Sequence, residues 1–171
     1  FAQSDNTLRA PLIGDPTAWP INPPGLISDI MVGKTLFNNL VRFSFEDGST
    51  VVPDLAQSWE VDEESRVWTF FLRQDVVWHD GEPFTADDVI FTVEAIRDPD
   101  IASRWSAAFV TLDTIEALDD YTVRMTFDSP FSPLLATLAY NIAILPEHVL
   151  ADMDLSVPSG PPAFVTDPIG T

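Results

Sequence analysis

The chain has no cysteine and a single lysine, Lys34, among its 171 residues. Without cysteine there are no disulfides, no thiolate metal ligands and no lipidated cysteine within the residues given. Bases are scarce: 8 Lys and Arg face 27 Asp and Glu, a net charge of -19. Such a surface repels phosphate backbones and anionic lipid, so neither nucleic-acid binding nor direct membrane docking is expected. No apolar run approaches the roughly 18 residues needed to cross a bilayer. The two histidines, His79 and His148, lie far apart and form no HExxH pattern. No acids fall at calcium-loop spacing, so no metal site and no cofactor are expected. A G-x-S-x-G elbow, a GxGxxG loop and a Walker A loop are also missing. The carboxylate pairs Asp87-Asp88 and Asp119-Asp120 fit a helix start and a turn. A glycosidase-like pair is defined by spatial separation, which spacing in sequence leaves open. The expectation is a protein that is not an enzyme.

What is present is core-forming material: 46% of residues are hydrophobic, enough for one domain or two small subdomains. Phe1-Ala2-Gln3-Ser4-Asp5 suits the end of a secretory signal cut after Ala2. Residues 7–13 (TLRAPLI) read as a buried strand ended by Gly14-Asp15-Pro16. The Pro-rich TAWPINPPG stretch follows as extended loop. Ser28 or Asp29 caps a helix whose buried stripe is Leu36, Phe37, Leu40 and Val41. Two strands, around Trp59 and from Val67 to Arg73, are joined by an acidic turn, with Trp68, Phe70 and Leu72 on one face. Asp80-Gly81 marks a tight turn, where His79 is expected as a hydrogen-bonding residue. Thr85 then caps a helix with Asp88 as the reciprocal acid of a capping box. Val89, Val93 and Ile96 line its buried side, and Asp98-Pro99 stops it. A second hairpin turns at Asp119-Asp120, with Tyr121, Val123, Met125 and Phe127 on one face. Short helices are expected through Leu134, Leu135 and Leu138 and after Pro146, with His148 exposed, and residues 157–168 read as loop.

Trp59, Trp68, Phe70, Leu72, Val89 and Val93 are expected to be buried together, the hairpin packing on the helix that follows. Trp19 and Trp105 differ from the strand tryptophans, because each stands in a loop or element end beside polar residues. A rigid ring with a polar handle suits the wall of a ligand site.

The run from 52 to 99, VPDLAQSWEVDEESRVWTFFLRQDVVWHDGEPFTADDVIFTVEAIRDP, closely resembles the bacterial extracellular solute-binding proteins, family 5, which serve peptide and nickel ABC importers. Thr7-Leu8-Arg9, Ile21-Asn22-Pro23 and residues 35–43 (TLFNNLVRF) fit the same family. So do Asp119-Asp120-Tyr121-Thr122-Val123, Pro130-Phe131, residues 145–149 (LPEHV) and residues 167–171 (DPIGT), in family order. The resemblance implies an α/β (mixed α+β) fold of the type II periplasmic-binding-protein kind. It implies part of the first lobe, with residues 1–45 as opening strand, loop and helix. Residues 46–165 would be the family's inserted subdomain and 166–171 the return toward the lobe core, the second lobe lying outside the chain.

The implied function is a periplasmic or otherwise extracytoplasmic receptor that binds a small-molecule or peptide ligand and delivers it to a membrane ABC permease. A nickel-chelate or oligosaccharide receptor is the alternative on the same fold, and so is the sensing domain of a transcription regulator. The implied ligand-facing residues are Gly14, Asp15 and Trp19, then Arg104 and Trp105, then Tyr140 and Asn141. In nickel-chelate members an arginine and a tryptophan near Arg104 and Trp105 face the ligand, in an Arg-x-x-Trp phrase that this chain does not reproduce.

Overall fold

Alternation of side chains sets the central sheet. In the computed structural model, which describes residues 33–157 and 160–171, the strands are β1 (Val41–Phe43), β2 (Val51–Pro53), β3 (Ala56–Val61), β4 (Val67–Leu72), β5 (Leu112–Asp119) and β6 (Thr122–Phe127). β3, β4, β6 and β5 form one antiparallel sheet in that order. In β4 and β6 every second side chain is buried, placing Trp68, Phe70 and Leu72 beside Val123, Met125 and Phe127. Trp68 pairs with Met125 and Phe70 with Val123 on that face. Such cross-strand apolar pairs are the main stabilising unit of a sheet. The outer strands β3 and β5 are largely exposed, carry Glu60, Asp113, Glu116 and Asp119, and are broken by register shifts. Edge charges and bulges of this kind discourage pairing with other chains.

Turn chemistry closes the hairpins as the residues require. Asp62 accepts the backbone N–H groups of Arg66 and Val67 at 2.7 and 3.0 Å. In the turn before β2, Asp47 accepts the N–H groups of Ser49 and Thr50 and the Thr50 hydroxyl, which pulls its carboxyl down to about 2. Gly81, at φ +95, supplies the left-handed position of the turn from Trp78 to Glu82. That conformation strains any residue with a Cβ.

Helix α1 (Ala86–Arg97) begins at the expected capping box and buries Val89, Val93 and Ile96. It ends with Asp98 in extended backbone (ψ 119) before Pro99, because the proline ring disfavours helical geometry in the residue before it. Helices α2 (Leu134–Asn141) and α3 (Glu147–Leu150) follow near the expected places, with Leu134, Leu138 and Leu150 buried.

Four expectations are corrected. The helix read through Val41 stops after Leu36; Leu40 and Val41 are buried, but Val41 opens β1. Asp54 draws the chain out of the helix by accepting the Asn39 N–H at 3.1 Å and the Asn38 amide at 2.8 Å. Ala56 and Leu55 then donate to the carbonyls of Leu40 and Asn39, so the carbonyls a helix would use are taken by a strand neighbour. Residues 157–168 are not all loop, since Pro162–Thr166 form the short helix α4. Pro162 lies in its first turn, where a missing N–H is harmless, and Phe164 anchors it by stacking on Phe37 at 6.0 Å. Trp59 is only half-buried because β3 is an edge. Finally, the strands nearest α1 are β5 and β6 rather than the hairpin that precedes it, although Trp68, Phe70 and Leu72 share one buried core with Val89 and Val93.

The reading of residues 7–13, the Pro-rich loop and the cap at Ser28 or Asp29 lie outside the described residues.

Candidate functional site

Three of the expected ligand-facing residues meet in one recess. After α1 the chain bends at Ala102, whose φ of 51 is unusual for a residue with a side chain. Ser103 is buried, its carbonyl accepts the Ser106 N–H at 3.1 Å, and its hydroxyl accepts the Trp105 N–H at 3.3 Å. These bonds start a single 3₁₀ turn, Ser106–Phe109, which Phe109 anchors in the core. The turn holds Arg104 and Trp105 at the surface. Opposite them, α2 presents Ala136, Thr137 and Tyr140, and β1 supplies Phe43 as a third wall. α2 is held against the chain leading into β1 by the Asn39 amide, which donates to the Ala139 carbonyl at 3.2 Å.

The recess has a volume of about 470 Å³ and is completed by Ala107 and Ala108. Trp105 and Tyr140 meet edge to face at 6.2 Å and 73°, a preferred arrangement for aromatic pairs. The Arg104 guanidinium lies over the Trp105 ring, 5.4 Å from its centroid, within cation–π range. Tyr140 is 59% exposed, whereas Trp105 is partly buried. The Trp105 indole N–H has no hydrogen-bond partner among the described residues. In a chain with 27 acidic residues, this lining contains, among the described residues, one guanidinium and no carboxylate. Such a wall offers charge-assisted hydrogen bonds to an anionic group and stacking or apolar contact to the rest of a solute.

Asn141 is the last residue of α2, while Gly14, Asp15 and Trp19 lie outside the described residues. Phe43, Ala107, Ala108, Ala136 and Thr137 were not singled out from sequence, because alanines and a strand phenylalanine carry no chemical signature of a pocket.

Away from the recess, Asp88, Asp80 and both histidines serve structure. Asp88, 3% exposed, accepts three hydrogen bonds: from the Thr85 N–H at 2.9 Å, the Trp78 indole at 3.2 Å and the Glu147 N–H at 2.9 Å. Burial pushes its carboxyl above the usual range, while those three donors act in the opposite sense. His148 Nε2 lies 2.9 Å from Asp80 Oδ2. This hydrogen bond is the main cause of the lowered Asp80 pKa. His79 fills its expected turn role: its N–H donates to the Gly170 carbonyl at 2.9 Å, and its Nδ1 accepts the Gly170 N–H at 3.2 Å. The described residues hold no cluster of three or more His, Cys, Asp or Glu arranged for a metal ion. No described helix is long and apolar enough to cross a membrane.

Residues 50–171 match the family model "Bacterial extracellular solute-binding proteins, family 5 Middle". The dipeptide-binding protein of Escherichia coli is 32% identical over 154 residues, covering 80% of this chain and 28% of that protein. NikZ of Campylobacter jejuni, solved in complex with Ni(L-His), superposes with a TM-score of 0.72 at 37% identity, over 80% of this chain and 26% of that one. DppA of Helicobacter pylori, an ABC transporter-associated periplasmic binding protein solved with the peptide STSA, gives a TM-score of 0.70 at 26% identity. That likeness covers 92% of this chain and 33% of that one. The mixed α/β fold is thus that of periplasmic-type substrate-binding proteins, a class of solute receptors. Within it, the chain belongs to family 5 of the bacterial extracellular solute-binding proteins. It spans about a quarter to a third of the length of the relatives it matches.

Proposed function

We propose that this chain is part of an extracytoplasmic receptor that captures peptides and delivers them to a membrane ABC importer. The observation that carries the reading is the convergence of Arg104, Trp105 and Tyr140 in a recess with no acid among its described lining residues, in a chain of this family. In this role the guanidinium receives a carboxylate or other electron-rich group of the ligand, and the two rings cover its apolar body. Gly14, Asp15, Trp19 and Asn141 belong to the same proposed wall. Residues 46–165 serve as the inserted subdomain of the first lobe, between the opening segment 1–45 and the return at 166–171. The remaining contacts come from outside the chain, and closure of two lobes completes and desolvates the site. No catalytic step is part of this role.

A second reading, a receptor for a metal–amino acid chelate, is favoured by the 37% identity with the protein bound to Ni(L-His). The Arg104 guanidinium suits the carboxylates of such a chelate. A thermal-shift screen of the full-length protein against di- and oligopeptides, nickel–histidine and oligosaccharides separates the two. A ligand that binds only the folded state raises the midpoint by mass action. Peptides should raise it, and a response to nickel–histidine alone would replace the first reading by the second.

A further inference from the structure

A second groove lies between the C-terminal end of α1 and residues 153–156. Two adjoining hollows, of about 530 and 590 Å³, share Asp98, Ile101 and Leu155 and so form one furrow. It has no lining residue in common with the Arg104 recess. Its apolar contacts come from Phe91, Ile101, Met153 and Leu155. Its charge is one-sided among the described residues, with Glu94, Asp98, Asp100 and Asp154 around a single base, Arg97. Arg97 is already engaged, bonding Glu94 at 3.0 Å and the Leu112 carbonyl at 2.9 Å. The end of α1 adds the negative pole of the helix dipole, which favours cations.

We propose that this furrow docks a partner polypeptide through a segment carrying lysine or arginine beside an apolar anchor. Charge complementarity selects that occupant. The carboxylates of Asp98, Asp100 and Asp154 repel acidic or lipid-phosphate surfaces and attract basic side chains. A flexible methionine and a leucine accommodate an apolar side chain between them. Asp98 and Asp154 already accept local backbone N–H groups, from Asp100 at 2.8 Å and Ser156 at 2.9 Å, through Oδ1. These bonds hold the carboxylates in place on the rim.

The test is fluorescence anisotropy with the full-length protein and a labelled twelve-residue peptide alternating leucine with arginine. A matched peptide with glutamate in place of arginine is the control. The basic peptide should bind and the acidic one should not. Raising salt from about 50 to 500 mM should weaken binding by about tenfold or more. The triple variant Asp98→Asn, Asp100→Asn, Asp154→Asn keeps the Oδ1 acceptors and so the local turns, and it should weaken binding by about tenfold. Arg104→Ala should leave this docking unchanged. Equal binding of both peptides, salt-independent binding or an unaffected triple variant would overturn the proposal. A loss caused by Arg104→Ala would also overturn it, since the peptide would then occupy the recess.

Discussion

Asp88 shows how one side chain can join three elements. It sits at the third position of α1, yet its carboxylate also holds the indole of Trp78 and the first N–H of α3. Truncating it to alanine leaves those donors buried without an acceptor. Asp88→Ala should therefore cost roughly 3–5 kcal/mol in urea denaturation. Thr85→Ala, at the same capping box, should cost only about 0.5–2 kcal/mol. A smaller effect at Asp88 than at Thr85 would show that the carboxylate is merely a cap.

Asp80 offers a pH-dependent counterpart. Its folded pKa lies below the ordinary 3.8, chiefly through the hydrogen bond from His148. The folded state therefore favours the ionised form. The associated stability is present above the unfolded value and is lost as pH falls through the folded value. In an NMR titration, His148→Ala should move the Asp80 midpoint upward toward 3.8. An unmoved midpoint would mean that the Glu82 N–H alone sets it.

At the scale of elements, much of the fold was legible in the sequence. Alternation around Trp68 and Val123 located β4 and β6, and Thr85 with Asp88 located the start of α1. What periodicity missed depends on partners distant in sequence. Leu40 and Val41 fit a helical stripe, and only the competition from Asp54 and Ala56 turns them into a strand. Trp59 looks like a core residue until β3 is known to be an edge, and the packing of α1 on β5 and β6 requires the β4–β6 pairing. In the recess, Trp105 stood out as a loop aromatic beside polar residues, whereas Arg104 and Tyr140 were expected only through the family resemblance. The alanines that give it depth did not stand out.

Two element-scale predictions follow from the packing. Trp68 is 5% exposed in a central strand, so Trp68→Ala should cost about 3–5 kcal/mol by chemical denaturation. A cost under about 1 kcal/mol would mean that the sheet face closes over the cavity. Gly170 has no room for a side chain: an added Cβ would lie 1.7 Å from the Leu36 carbonyl oxygen. Since that contact is backbone against backbone, Gly170→Ala should dislodge residues 167–171 from His79. Hydrogen exchange at the amides of His79 and of residue 170 would then accelerate, and unchanged protection would contradict the packing.

For the whole molecule, a chain of net charge -19 forms a recess whose lining, among the described residues, is free of acids. That contrast supports the proposed role as one wall of a solute site. The most direct test is isothermal titration calorimetry of the full-length protein with the peptide that gives the largest thermal shift, comparing wild type with Trp105→Ala. Central aromatic anchors commonly contribute 2 kcal/mol or more to binding, so the variant should bind about 30-fold or more weakly. Its unfolding midpoint without ligand should stay close to that of wild type, because the ring is only partly buried. Full-affinity binding by the Trp105→Ala protein would place the ligand elsewhere and contradict the account.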